Sequence, residues 1–444
     1  MKTPNLLVRG FFMPLGDLIT GQSVHSKLKF LEKTQHWQRE NLIAYQSERL
    51  QALVKHAYKN VPYYYDLFNS NRLKPEEIKT EDDLQKIPLL TKKIIKSEGT
   101  NRFLAKNINK NQLVKLSSSG STGEPLFYFS TKDAYSMNIA ANLRGWEWMG
   151  FKIGDRYIKL SQNKRNRFSK KMQDRLSNNM YIKINPLTDE QFNYILTHIE
   201  TYKPKVIRCY PDPFLFLARY KQKHPEFKHQ PLALQTTGNT LYPETRKEIE
   251  NSFGCKIFDS YSCEGNPVFF ECNTHQGYHI ADEYGITEFL DDHNSTVNQG
   301  IARIVSTDLW NFAHPFIRYE TQDLVELSSS SCRCEKQLSN VKKIIGREND
   351  VLTTPSGKKL IVHNFTGFFQ QDNPIINKSV EHFQFIESKT NYILNLVVNK
   401  NFTTEAKEYI KQYWGDEIGA NVEIKIVNQI KLTASGKRKF IIKE

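Results

Sequence analysis

Cysteine is scarce in this sequence, with six residues in 444. That is too few for a disulfide-stapled scaffold. Long apolar runs are missing as well: no stretch approaches the roughly 18 consecutive apolar residues of a membrane span. The opening segment, Met1 to Gly21, is broken by Lys2, Arg9 and Asp17. It has neither the unbroken apolar core nor the small-residue cleavage site of a secretory signal. There is no internal repeat and no low-complexity tract. These absences leave a reduced, soluble, cytoplasmic protein without a transmembrane segment as the expectation.

What is present points to a folded chain. Hydrophobic residues make up 39% and aromatics 12%, enough apolar material for a core, which excludes a disordered chain. Lysine and arginine number 62 against 48 acidic residues, a net charge of +14. Such a balance attracts anions, whether nucleotide, nucleic acid or acidic lipid. At about 100–200 residues per domain, the length predicts two to four domains, or one large unit plus a smaller one.

Residues 39–58 carry Leu42, Ile43, Leu50, Leu53, Val54 and Ala57 at helical spacing, with Glu40, Glu48, Arg49 and Lys55 outside. Pro62 ends that helix, and Tyr63, Tyr64 and Tyr65 predict an aromatic cluster docking it. From residue 113, strand and helix patterns alternate. Val114–Leu116, Val206–Cys209, Leu232–Thr237 and Lys256–Asp259 read as strands. Ala134–Met149, Phe214–Lys221 and Glu244–Phe253 read as helices. Alternation of this kind predicts an α/β core. Near residue 346 the texture changes. Val380–Ile386, Tyr392–Val398 and Val422–Val427 read as strands and Glu405–Tyr413 as a helix, a smaller α+β unit of ordinary domain size.

The segment with most chemical content is Ser117-Ser118-Ser119-Gly120-Ser121-Thr122-Gly123-Glu124-Pro125. Its glycines open backbone conformations closed to other residues. Its hydroxyls and backbone N–H groups can form an anion-binding concavity. It is not a Walker loop, because no Gly-Lys-Ser/Thr ends it. Four further segments follow in order: Tyr261-Ser262-Cys263-Glu264-Gly265, Ile317-Arg318-Tyr319-Glu320-Thr321-Gln322-Asp323, Gly346-Arg347-Glu348-Asn349-Asp350, and Leu432-Thr433-Ala434-Ser435-Gly436-Lys437-Arg438-Lys439. Singly, each reads as a turn or a solvated charge run.

Together and in this order they resemble the adenylate-forming, AMP-binding ligases. The branch resembled is the phenylacetate-coenzyme A ligase-like group, which includes homologues from capsule and other cell-surface polysaccharide biosynthesis. The resemblance begins near residue 45 and runs to the end. It implies a large α/β adenylate-forming domain over 1–348, with a helical N-terminal segment, and a smaller mobile α+β lid domain over 349–444. It also implies activation of a carboxylic acid by ATP to an acyl adenylate, then transfer to coenzyme A or another nucleophile. By position, Ser119, Gly120, Ser121, Thr122 and Gly123 would hold the β- and γ-phosphates, and Glu264 would help hold Mg²⁺. Tyr261 would pack near the adenine, Asp323 would accept hydrogen bonds from the ribose, and Arg347 would reach ribose or phosphates. Asn349 takes the hinge position. Lys437 would meet the charge growing at the α-phosphate. The acyl pocket would be lined from near Tyr210–Phe216 and Thr236–Thr240.

The sequence departs from the family pattern at Glu124, where many members have lysine, at Gln322, where the usual residue is glycine, and at Asn239, where many have glutamate. Losing the glycine at 322 is expected to shift the turn that carries Asp323. A second constellation is Cys272, His275, His279, Cys332 and Cys334. Zinc takes four ligands of this kind, although reduced loop cysteines would show the same letters. Relatives with Cys…Gly-x-His followed by Cys-x-Cys favour Cys272, His279, Cys332 and Cys334 as ligands of a structural zinc. Two other readings stand beside this one. The acyl group could pass to an amine, a sugar hydroxyl or a carrier protein. Alternatively, basic clusters such as Lys164-Arg165-Asn166-Arg167 and Lys170-Lys171 could mark a non-catalytic nucleic-acid or membrane binder. The family reading expects no nucleic-acid partner and leaves a homodimer open.

Overall fold

In the computed structural model the described residues are 4–117, 126–161, 165, 168–184, 187–263, 267–327, 332–347, 351–356, 359–361, 364–365, 368–369, 373–376, 379–388, 391–430 and 439–443. They divide into two compact units. One comprises Met1–Leu241, Thr245–Thr321 and Val325–Ile344; the other comprises Tyr242–Glu244, Gln322–Leu324 and Ile345–Glu444. The fold is α/β in the first and α+β in the second.

The first unit opens with helices. Val24–Thr34 buries Val24, Leu28, Leu31 and Thr34, one stripe at helical spacing, against the helix Lys132–Trp148. A fully buried ion pair locks this contact. Arg144 donates to both carboxylate oxygens of Glu283, at 2.6 and 3.2 Å, and the Thr34 hydroxyl donates to the same carboxylate at 2.6 Å. Removing one partner of such a pair strands a buried charge. The helix Arg39–Asn60 buries Leu42, Leu50, Leu53, Val54 and Ala57. Pro62 ends it and opens the next helix, Pro62–Ser70, at a position where a missing N–H costs nothing. Tyr63 and Tyr64 are buried there, and Tyr64 donates to the Pro315 carbonyl. Tyr65 is half exposed and packs on Tyr58 of the preceding helix, ring centres 5.4 Å apart, so all three tyrosines belong to the expected cluster.

The centre of the unit is an eight-stranded sheet. Its order is Asn340–Val341, Tyr278–Ile280, Val268–Glu271, Ile257–Ser262, Ala233–Thr237, Val206–Cys209, Tyr157–Ser161, Asn179–Lys183. The last five strands in that order are parallel and the first three add as antiparallel neighbours. The parallel strands carry buried apolar residues on both faces, as a sheet covered on two sides requires. Ile158, Leu160, Ile207 and Leu234 meet helices Asp189–Tyr202, Pro211–Gln222 and Pro243–Phe253 on one face. Val206, Ala233 and Phe258 meet Lys132–Trp148 and Val24–Thr34 on the other. Five strands in this sheet, Tyr157–Ser161, Asn179–Lys183, Val268–Glu271, Tyr278–Ile280 and Asn340–Val341, lie outside the strands read from the sequence.

A four-stranded sheet follows, ordered Gly285–Leu290, Gly300–Asp308, Tyr319–Leu327, Lys343–Arg347. A two-stranded antiparallel hairpin pairs Val114–Ser117 with Phe127–Ser130, Ser117 opposite Phe127. The second unit has a hairpin, Val351–Thr353 with Lys359–Ile361. It also has a four-stranded sheet ordered Val422–Ile426, Tyr392–Val398, Val380–Glu387, Ile441–Lys443. The helix Thr404–Ile418 adds the buried Trp414, stacked on Phe365 at 4.2 Å between ring centres. Among the described residues no helix is long and apolar enough to cross a membrane.

Candidate active site and metal centre

In an open parallel sheet, ligands bind beyond the carboxyl ends of the strands. Here those ends are Ser161, Lys183, Cys209, Thr237 and Ser262. A cavity of about 300 Å³ lies among them, lined by Lys159, Arg165, Tyr181, Arg208, Tyr210 and Thr237. Tyr210 and Thr237 fall in the two segments expected to line an acyl pocket. Gly238 follows at φ +81°, and a Cβ there would come within 2.7 Å of the Tyr210 ring, so a side chain would displace the aromatic wall. Asn239 donates to Asp212 at 3.0 Å, keeping polarity without charge at that position. Tyr261 sits near the end of the next strand with its ring 5.2 Å from that of Phe269.

The cavity is basic. Lys159, half-buried, has its pKa pushed down to about 7, first by the Arg208 guanidinium beside it and then by burial. Burial also lowers Arg208. Arg165 is engaged elsewhere: it donates to Asp174 at 2.6 Å and packs over Tyr181. Of the expected basic cluster at 164–167, Arg165 is the described member, and it lies in a concave site rather than on an open face. Lys159 and Arg208 are absent from the sequence reading. Their signal was there in the alternation of Tyr157-Ile158-Lys159-Leu160-Ser161 and in a lone arginine inside an apolar strand.

Asp323 is buried on the strand Tyr319–Leu327. The residue before it, Gln322, has φ +63°, in the left-handed region that favours glycine. A non-glycine residue therefore holds here the backbone conformation that glycine favours. Arg347 ends the strand Lys343–Arg347. Ser119, Gly120, Ser121, Thr122, Gly123, Glu264, Asn349 and Lys437 lie outside the described residues.

The metal constellation is described in full. Ligand atoms of Cys272, His279, Cys332 and Cys334 all lie within 4.8 Å of one another. The Cys272 and Cys332 sulfurs are 3.6 Å apart, and Cys334 Sγ is 3.0 Å from His279 Nε2. A tetrahedral zinc with Zn–S of about 2.3 Å has sulfur–sulfur edges of about 3.8 Å, so the donor set and its spacing fit that ion. His279 Nδ1 faces the Leu338 carbonyl at 3.2 Å, the outer contact that leaves Nε2 to a metal. His275 is not part of the group; it packs on Phe258 within a turn, at φ +53°. The strands Tyr278–Ile280 and Asn340–Val341 pair His279 with Asn340. Gly277, at φ +113°, allows this approach, because a Cβ would lie 2.3 Å from the Val341 carbonyl oxygen. On the same strand as His279, Tyr278 donates to Asp259 at 2.9 Å. Burial, with Glu271 beside it, pushes Asp259 up to about 7.

With this geometry in view, the relatives are informative. A family model described as the CapK C-terminal domain matches residues 352–444. Protein CapK of Staphylococcus aureus is 26% identical over 424 residues, covering 90% of this chain and 89% of that protein. Phenylacetate-coenzyme A ligase of Thermus thermophilus is 25% identical over 342 residues, covering 71% and 72%. This chain is a homologue of both. A solved structure of 2-hydroxyisobutyryl-CoA ligase in its postadenylation state, in complex with R3-HIB-AMP, matches with a TM-score of 0.71 and 15% identity over 90% of this chain and 88% of that one. ATP-bound MatB from Rhodopseudomonas palustris matches with a TM-score of 0.55 and 12% identity over 76% and 68%. The fold of this homologue of CapK and the phenylacetate-coenzyme A ligases is thus that of 2-hydroxyisobutyryl-CoA ligase.

Proposed function

We propose that the chain is an AMP-forming acid ligase. A carboxylate oxygen attacks the α-phosphate of ATP, the bond to pyrophosphate breaks, and an acyl adenylate forms. The thiol of coenzyme A then attacks the acyl carbon and AMP leaves. The observation that carries this reading is homology to phenylacetate-coenzyme A ligase over 71% of the chain. The similarity to CapK over 90% of the chain supports a place for the reaction in cell-surface polysaccharide synthesis.

In this reading the cavity at the strand ends takes the acyl group, Tyr261 packs near the adenine, and Asp323 accepts hydrogen bonds from the ribose. The loop from Ser119 to Gly123 cradles the phosphates, and Arg347 reaches ribose or phosphate. Glu264 is the magnesium ligand. Lys437 supplies positive charge where negative charge grows in the first step. Asn349 is the hinge about which residues 349–444 reorient for the second. Cys272, His279, Cys332 and Cys334 would hold a zinc ion that ties the hairpin around Tyr278–Ile280 to the segment after residue 331. All four ligands precede the hinge, so the ion's role is structural.

The test is pyrophosphate release from ATP over a panel of aromatic, amino and short aliphatic acids, with and without coenzyme A. Release that depends on one class of acid, with thioester formed when coenzyme A is present, is expected. Release without thioester moves the acceptor to an amine, a hydroxyl or a carrier. No release with any acid, together with salt-dependent DNA binding, overturns the reading.

A further inference from the structure

We propose that the acid activated by this chain carries a second anionic group, seated against Lys159 and Arg208. The inference rests on the ligase reading and narrows its substrate class. Lys159 is the register partner of Tyr181 on one side and Arg208 on the other, and Arg208 is the partner of Gln235. These four residues form one row across adjacent parallel strands. Neighbouring strands lie about 4.8 Å apart, so two cationic side chains leave the sheet side by side on one face. Like charges placed so are destabilising.

The described residues offer them no acid that is not already engaged. Among the described residues neither Lys159 nor Arg208 is hydrogen-bonded or ion-paired to a carboxylate. Asp174, the acid whose charge reaches Lys159, is occupied by Arg165 and Asn179, each at 2.6 Å. Asp212, in the first turn of Pro211–Gln222, is held by Asn239. Arg208 meets the Trp146 ring face at 6.0 Å, a contact that leaves its charge uncompensated. Both cations open into the cavity that Tyr210 and Thr237 also line. Two adjacent cations with no acid partner among the described residues, in a ligand-sized cavity, make a seat for an anion. The carboxylate to be activated must lie at the α-phosphate, so the anion at Lys159 and Arg208 is another group on the same acid, a second carboxylate or a phosphate.

The experiment compares pyrophosphate release with acids matched in length: monocarboxylates, dicarboxylates, and carboxylic acids bearing a phosphate. The same compounds are added without ATP to the full chain in thermal-unfolding scans. Hydrogen bonds to charged groups lead to an expected preference of about 10–100-fold in kcat/KM for one of the dianionic classes; which class it is tells carboxylate from phosphate. Lys159→Met and Arg208→Met should erase that preference and the thermal stabilisation by the dianion. Without ligand, Lys159→Met should melt no lower than the parent, because it removes a repulsion. A neutral acid preferred over its charged counterparts, a preference unchanged in Lys159→Met, or no stabilisation by any dianion overturns the inference. Dianion stabilisation that needs Lys159, with no pyrophosphate released from any acid, would instead sink the ligase reading and keep the anion site.

Discussion

The sulfur of Cys334 lies 3.0 Å from Nε2 of His279, although 55 residues separate them in the chain. With Cys272 and Cys332 they close a Cys₃His group whose ligand atoms sit within 4.8 Å of one another. Thiols converge in this way where a soft metal ion neutralises them as thiolates. The purified chain is therefore expected to carry one zinc per molecule by elemental analysis. Cys334→Ser should lower that content and the melting temperature together, and a strong chelator should do the same to the parent protein. A metal-free preparation with an unchanged melting temperature would show that the four residues are only packed thiols and imidazole.

Gln322 yields a prediction about strain. It is exposed and left-handed at φ +63°, so its side chain contributes little packing while its backbone carries about 1–2 kcal/mol of conformational cost. Gln322→Gly removes the cost but adds freedom to the unfolded chain, and the two nearly cancel. Gln322→Val makes the cost larger, because a β-branched residue tolerates positive φ least. Urea unfolding should rank glycine at or above glutamine, with valine lower by about 1 kcal/mol or more. Equal midpoints for valine and glutamine would mean that this turn relaxes freely.

Local signals were legible in the sequence where they were periodic. The strand Val206–Cys209 has the limits its apolar run implied, and the helix read over 39–58 extends over Arg39–Asn60. The strand read from Leu232 starts at Ala233, because Leu232 faces solvent. The N-terminal helices were not read, since Val24–Thr34 owes its place to long-range contacts such as Thr34 with Glu283. For the metal group the sequence supplied both His275 and His279. The resemblance preferred His279, and chain geometry separates the two in the same sense, through the turn at His275 and the pairing of His279 with Asn340. The juxtaposition of Lys159 with Arg208 is a fact of parallel register, to which no local pattern refers.

Lys437 and Asp323 are expected to fail in different ways when truncated. A contact made mainly as charge develops lowers the barrier without tightening the ground state. Lys437→Ala should then slow adenylate formation by about 10²–10³-fold, by analogy with the loss of one oxyanion donor, with little change in ATP affinity. Transfer from a supplied acyl adenylate should be nearly intact in that variant. Asp323→Ala removes bonds present before and during reaction, so its loss should appear largely in KM for ATP. Equal loss of both half-reactions in a folded Lys437→Ala protein would disprove the swinging-lysine assignment.

His314 makes acid stability measurable at one site. Its ring is fully buried, stacked between Phe103 at 5.8 Å and Phe316 at 5.2 Å, and neither ring nitrogen has a hydrogen-bond partner among the described residues. Burial pushes its pKa down to about 3 from an ordinary 6.5. The sign follows from proton counting. Between these values the unfolded chain holds a proton at His314 that the folded chain excludes, so stability falls as pH drops below 6.5 and stops falling near 3. The slope for one proton is about 1.4 kcal/mol per pH unit. His314→Phe removes the titration and keeps an aromatic ring between Phe103 and Phe316. Any packing cost of the larger ring is independent of pH and cancels in the comparison. Unfolding free energies from urea titrations between pH 7.5 and pH 4.5 should show the variant gaining on the parent protein by about that slope once the pH is below 6. Parallel curves for the two proteins would mean that the folded state accepts the proton at His314 as readily as the unfolded chain, and that its imidazole has access to water or to a partner.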